Sequence, residues 1–132
     1  MAKTITTWKK GHEFEAEHEG NKIQMDGSTE NGHGPKALLL SALSGCSGID
    51  VVDILNKMKV EFSDFTIETE AEQTEEHPKV FRDIHIIYHI RTATENEDKI
   101  RKAIDLSLEK YCGVAAMLKK NSAINYTVDI IG

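Results

Sequence analysis

The chain has 132 residues, 39% hydrophobic and 29% charged, with a formal net charge of -6. That length allows one compact domain, taken as residues 1–132, with a modest core that a second copy would help complete. The acidic balance and the lack of a basic stripe argue against nucleic acid as a partner; no apolar run approaches a membrane span and "MAKTITTWKK" has no apolar leader region, so a cytoplasmic location is expected.

Residues 5–8 and 14–18 have strand character. "EGNK" at 19–22 is a turn signal, and Ile23 and Met25 continue an alternating pattern, which predicts an N-terminal β-meander. "DGSTENGHG" at 26–34 is a loop, and Pro35 suits the first turn of a helix. The spacing of Leu39, Leu43, Cys46 and Ile49 predicts a helix over 35–58, flanked by Val52, Leu55 and Met58. Its apolar residues run most of the way round, which predicts a central, buried helix. Strands are expected over 60–71 and 80–91, the second with Ile84, Ile86, Tyr88 and Ile90 on one face, joined as a hairpin through "EQTEEHPK". Thr94 and Glu97 match a capping box ahead of a helix whose stripe is Ile100, Ile104, Leu108 and Tyr111. Gly113 is expected to interrupt it before the short helix "VAAMLKK". A last strand follows, with Ile124, Tyr126, Val128 and Ile130 on one face. The class is α+β.

The chemistry centres on two cysteines, Cys46 and Cys112. In a cytoplasmic chain they are expected to be reduced, and any bridge between them to be transient. Residue type alone favours two small buried hydrophobes. Cys46 lies about three turns into its helix, beyond the reach of the N-terminal dipole. Asp50, one turn on, opposes a thiolate there. Cys112 lies at a helix break, where unpaired backbone N–H groups favour a thiolate, so local chemistry ranks it the better activated of the two. No metal is expected. There is no C-x-x-C, and His85 and His89 on one strand face stand roughly 13 Å apart at strand rise. His33 as a base for Cys46 lacks a visible orienting acid. The clusters "EFEAEHE" and "ETEAEQTEE" have no calcium-binding spacing and read as solvated faces.

Three blocks in order, "GPKALLLSALSGCSGIDVVDILNKMKV", "EEHPKVFRDIHIIYHI" and "AIDLSLEKYCGVAAMLKK", resemble the OsmC/Ohr family of thiol peroxidases, closest to its YhfA-like branch. The resemblance runs from about residue 11 to residue 131. It implies antiparallel sheets wrapped around long central helices in an intertwined homodimer, with two active sites at the subunit interface. It implies Cys46 as the peroxidatic cysteine and Cys112 as the resolving one. It also implies an organic hydroperoxide as substrate, a dithiol such as a dihydrolipoyl group as reductant, and no cofactor. The small residues around Cys46 (Ser44, Gly45, Ser47 and Gly48) then admit a second helix and a peroxide, and the two cysteines are expected within bridging reach, their Cα atoms within roughly 7 Å. The chain departs from the family pattern in two places. It has no arginine before Arg82, and Ala37 stands where the family carries a glutamate, nine residues before the peroxidatic cysteine. Lys36, His33, His12 and His18 are the conceivable substitutes. Their absence of a bidentate fork predicts slow reaction with peroxide at neutral pH. The alternative is a non-catalytic or redox-sensing dimer that binds a small apolar ligand. A thioester hydrolase using Cys46 and a histidine ranks last.

Overall fold

The structure is a computed structural model and describes residues 1–132. The chain divides into two compact units, Met1–Leu39 and Leu40–Gly132.

The first unit holds the expected meander, β1 (Ile5–Lys10), β2 (Glu13–His18) and β3 (Asn21–Asp26), in antiparallel order. Register places Phe14 between Trp8 and Met25, and Ala16 between Thr6 and Ile23, so one face is apolar. That face is largely uncovered: Trp8 is 63% exposed and Ile23 51%. After β3 the Asp26 carboxylate accepts the N–H groups of Ser28 at 2.8 Å and Asn31 at 3.1 Å, which folds the loop back on itself. A Cβ at Gly32 would fall 2.6 Å from the Gln24 carbonyl oxygen, so only glycine fits there.

Helix α1 (Pro35–Lys57) begins in the first unit and runs through the second. The second unit continues with β4 (Ser63–Gln73), β5 (Phe81–Arg91), a 3₁₀ turn (Thr94–Asn96), α2 (Glu97–Leu106), a π turn (Ser107–Tyr111), α3 (Gly113–Leu118) and β6 (Ala123–Ile131). Its sheet order is β4-β5-β6. The alternation in β5 places Ile84, Ile86, Tyr88 and Ile90 in the core, all fully buried, with Leu43, Val51, Ile100 and Ile104 beside them.

Four expectations need correction. The second sheet is mixed, not antiparallel: β6 runs parallel to β5. The chain leaves β5 through a helical crossover, which returns it to the same end of the sheet. The Thr94 capping box does not form. Thr94 opens the 3₁₀ turn instead, Asn96 precedes α2 without a side-chain cap, and its amide reaches back to Thr92 Oγ1 at 3.0 Å. Helix α1 is not buried all round in one chain. Only Leu43, Ser47, Val51 and Leu55 are buried, whereas Leu39 and Ile49, placed on the same stripe from sequence, are exposed, Ile49 at 66%. Finally, α1 does reach the length and mean hydropathy (1.7) of a membrane span. A core helix of a soluble protein has the same length and composition, and the inner stripe of α1 packs into a core built from its own chain.

Candidate functional site

Cys46 lies on α1, half-buried, with its thiol free. Cys112 is buried and free, and lies where the π turn gives way to α3. The π turn decides this placement. Continued as an α-helix, the stripe Ile100, Ile104, Leu108 would bring Tyr111 inward. The wider turn carries one extra residue, so Tyr111 is 54% exposed and Cys112 faces the core. The Cys112 N–H donates to the Ser107 carbonyl at 2.7 Å, closing that turn.

The two sequence-predicted cysteines meet. The Cys46 side chain is close enough to the Cys112 thiol to raise its pKa. Cys112 Sγ also accepts the Ala115 N–H at 3.4 Å, as the N-cap of α3. That donor favours a thiolate but is outweighed. Burial pushes the Cys112 thiol up to about 11, with Cys46 and Asp50 adding to the rise. The expected activation of Cys112 by its helix end therefore does not hold, because a single N–H donor does not offset desolvation and a nearby carboxylate.

Three residues to which sequence reading gave no polar role, Ser47, Tyr88 and Ser107, form a hydrogen-bonded group near the pair. Ser107 Oγ lies 2.9 Å from Ser47 Oγ and 3.0 Å from Asp50 Oδ2. Ser47 Oγ lies 2.7 Å from the Tyr88 hydroxyl. Ser47, Ser107 and Tyr88 are all fully buried. Burial pushes the Tyr88 phenol up to about 12, so it remains a hydrogen-bond donor. Two of the three were visible as anomalies: Ser47 and Ser107 are polar residues on faces otherwise built from leucine, isoleucine and valine.

The small residues around Cys46 divide their tasks. Ser47 meets Ser107 of the π turn. Ser44 Oγ bonds the Leu40 carbonyl and Thr69 of β4. A Cβ at Gly48 would stand 3.2 Å from Ile67 of β4, so this glycine sets how closely α1 approaches the strand. Gly45 faces open space. A groove of about 540 Å³ runs along this side of α1, lined by Gly45, Gly48, Ile49, Val52, Phe65 and Ile67 together with the polar Ser44 and Asp53.

No group of three or more His, Cys, Asp or Glu side chains is arranged to hold a metal ion. His89 bridges Asp129 at 2.8 Å and Glu68 at 2.9 Å across the outer face of the sheet, and Asp129 and Glu68 hold its pKa above the usual range. His85 bonds Asn125 and Thr127. His18 is engaged by the Lys3 carbonyl and by Glu19.

This pair of thiols on a long helix and a helix break sits in a chain whose residues 27–127 match the family profile described as OsmC-like protein. The chain belongs to the OsmC-like family. Protein YhfA of Escherichia coli K12 is 34% identical over 126 residues, covering 94% of each chain. A hypothetical protein from Aquifex aeolicus VF5 has a similar crystal structure, with 29% identity, a TM-score of 0.84, and 100% of this chain and 98% of that one covered. The organic hydroperoxide resistance protein OhrB of Bacillus subtilis shares the OsmC-like fold at 14% identity, with a TM-score of 0.66 and 98% of each chain covered.

Proposed function

We propose that this OsmC-like protein is a thiol-dependent reductase of organic hydroperoxides, with Cys46 peroxidatic and Cys112 resolving. The observation that carries this reading is the meeting of the two thiols at the junction of α1 and the π turn. Cys46 is the half-buried one, and its chain neighbours Ser44, Gly45 and Gly48 line an open, largely apolar groove fit for an alkyl group. The Cys46 thiolate attacks a peroxide oxygen, the O–O bond breaks, and the alkoxide leaves as the alcohol with a proton. Cys46 is now a sulfenic acid. The Cys112 sulfur then attacks the Cys46 sulfur. The S–O bond breaks, the S–S bond forms, and the thiol proton of Cys112 leaves with the hydroxide as water. A small dithiol reduces the bridge. The exposed Ile49 and the uncovered apolar face of β1–β3 support a homodimer that covers them. The cytoplasm, with its reducing thiol pool, is the compartment in which this cycle runs.

Ala37 and the absence of any arginine before Arg82 favour a second reading, a redox-sensing dimer that binds a small apolar ligand without turnover. Thiol loss in the presence of cumene hydroperoxide and dihydrolipoamide separates the two. The first reading expects catalytic consumption that rises with pH and is abolished by Cys46→Ser. Thiols that stay inert up to high pH would overturn it and leave the second.

A further inference from the structure

The core of this small unit contains a line of polar side chains, Tyr88, Ser47, Ser107 and Asp50. Each serine or tyrosine hydroxyl has one proton to give, and an ionised Asp50 has none. The Ser107 hydroxyl donates toward Ser47 Oγ and Asp50 Oδ2, and between Ser47 and Tyr88 either hydroxyl can donate. No buried side-chain polar atom is left without a partner. A polar chain of this kind adds little net stability over an apolar core of the same shape, so its presence calls for another reason.

Ser107 supplies it, since it holds two things at once. Its hydroxyl binds two residues of α1, Ser47 and Asp50, three apart on one helix face. Its carbonyl accepts the Cys112 N–H at 2.7 Å. Ser47 is the residue next to Cys46. The peptide group that fixes the Cys112 backbone and the side chain that fixes the π turn to α1 thus belong to one residue.

We propose that the Tyr88–Ser47–Ser107–Asp50 chain is a clamp that holds Cys112 against Cys46, with Ser107 the positioning residue for the disulfide-forming step. This rests on the resolving role given to Cys112 above. In that step the Cys112 sulfur must meet the Cys46 sulfur in line with the breaking S–O bond, and small misplacement of reacting atoms is expensive. Without the Ser107 hydroxyl, the π turn keeps its carbonyl bond to Cys112 but loses its register on α1. The Cys46 sulfenic acid then waits longer and meets a second peroxide, which converts it to sulfinic acid.

Two measurements on the full chain test the clamp. In the first, reduced wild type, Ser107→Ala, Ser107→Thr and Tyr88→Phe are treated with excess cumene hydroperoxide, and intact mass reads disulfide against Cys46 sulfinic acid. Ser107→Ala is expected to raise the sulfinic share about tenfold. Ser107→Thr, which keeps the hydroxyl, is expected to restore the disulfide, and Tyr88→Phe, at the far end of the chain, to have a smaller effect. In the second, each protein is equilibrated with dithiothreitol buffers in the absence of peroxide. Ser107→Ala is expected to weaken the Cys46–Cys112 bridge about tenfold, which is ~30 mV for this two-electron couple. Wild-type disulfide yield together with a wild-type equilibrium in Ser107→Ala would overturn the clamp. If Ser107→Ala does not fold, Tyr88→Phe decides: a bridge indistinguishable from wild type in both measurements overturns the proposal. If peroxide leaves wild-type Cys46 untouched but the buffer equilibrium still shows a bridge weakened by Ser107→Ala, the hydroperoxide reading fails and the clamp stands. If wild type forms no bridge in either measurement, both fail.

Discussion

The two compact units of this chain are held together in different ways. Every fully covered hydrophobic side chain lies in the second unit, between Leu43 and Ala115, and the one buried residue of the first is Asp26. The second unit has an ordinary interior, with the aliphatic face of β5 packed among α1, α2 and β6. The first is a three-stranded sheet whose apolar side, Trp8 included, is exposed. A sheet of this size needs something against its hydrophobic face to be stable. The comparison teaches that one copy of this chain builds an interior for Leu40–Gly132 and covers little of the apolar side of the smaller unit, Met1–Leu39.

Replacing one covered and one uncovered hydrophobic residue gives the largest contrasts. Ile86, fully buried, should cost about 2–5 kcal/mol as Ile86→Ala, read by urea denaturation. Ile49 is exposed on α1, and a charged substitution at an uncovered site changes stability by only about 0.5 kcal/mol. With a second copy seated there, Ile49→Glu should instead split the dimer, raising the dissociation constant at least about tenfold in sedimentation. A stable monomer in wild type would remove the basis for the completed-by-dimer reading.

The thiol chemistry sharpens the comparison inside the second unit. Cys112 stands at about 11, above an unfolded value of about 8.5. In the interval between those values the unfolded chain has lost its proton and the folded one has kept it. Stability from this group is therefore complete below pH ~8.5 and falls as pH rises toward 11. Alkylation of Cys112 by iodoacetamide in folded Cys46→Ser should accelerate late in that interval, not with the profile of a free thiol. Asp50→Asn, which removes one of the charges opposing the thiolate, should move the profile to lower pH.

The smallest effect belongs to the sheet's outer face. Asp129 and Glu68 raise the His89 pKa. The stabilisation is present below the ordinary histidine value of about 6.5 and is lost as pH rises through the raised one. Asp129→Asn should lower the His89 titration midpoint in NMR, with little change in melting temperature.

Much of this molecule could be read from its residues. Strand alternation fixed which face of β5 is buried, because side chains on a strand alternate with period two whatever lies beyond the sheet. The turn signals and glycines placed the meander, and the two cysteines with their flanking blocks marked the family and the pair that would meet. What the residues did not reveal depends on contacts between segments distant in sequence. A π turn costs one residue of register, and nothing local to "SLEKY" announces it, so Tyr111 was expected inside and Cys112 at an activating helix end. Burial by the surrounding core then outweighed the expected activation of Cys112. Ser47 and Ser107 are sixty residues apart in the chain, and their hydroxyls acquire a meaning only when α1 and the π turn are packed against each other. The periodicity of α1 determined that it is an amphipathic-to-apolar helix. Which of its faces finds a partner within the chain, and which is left at the surface, was settled by the area one 93-residue unit, Leu40–Gly132, can cover.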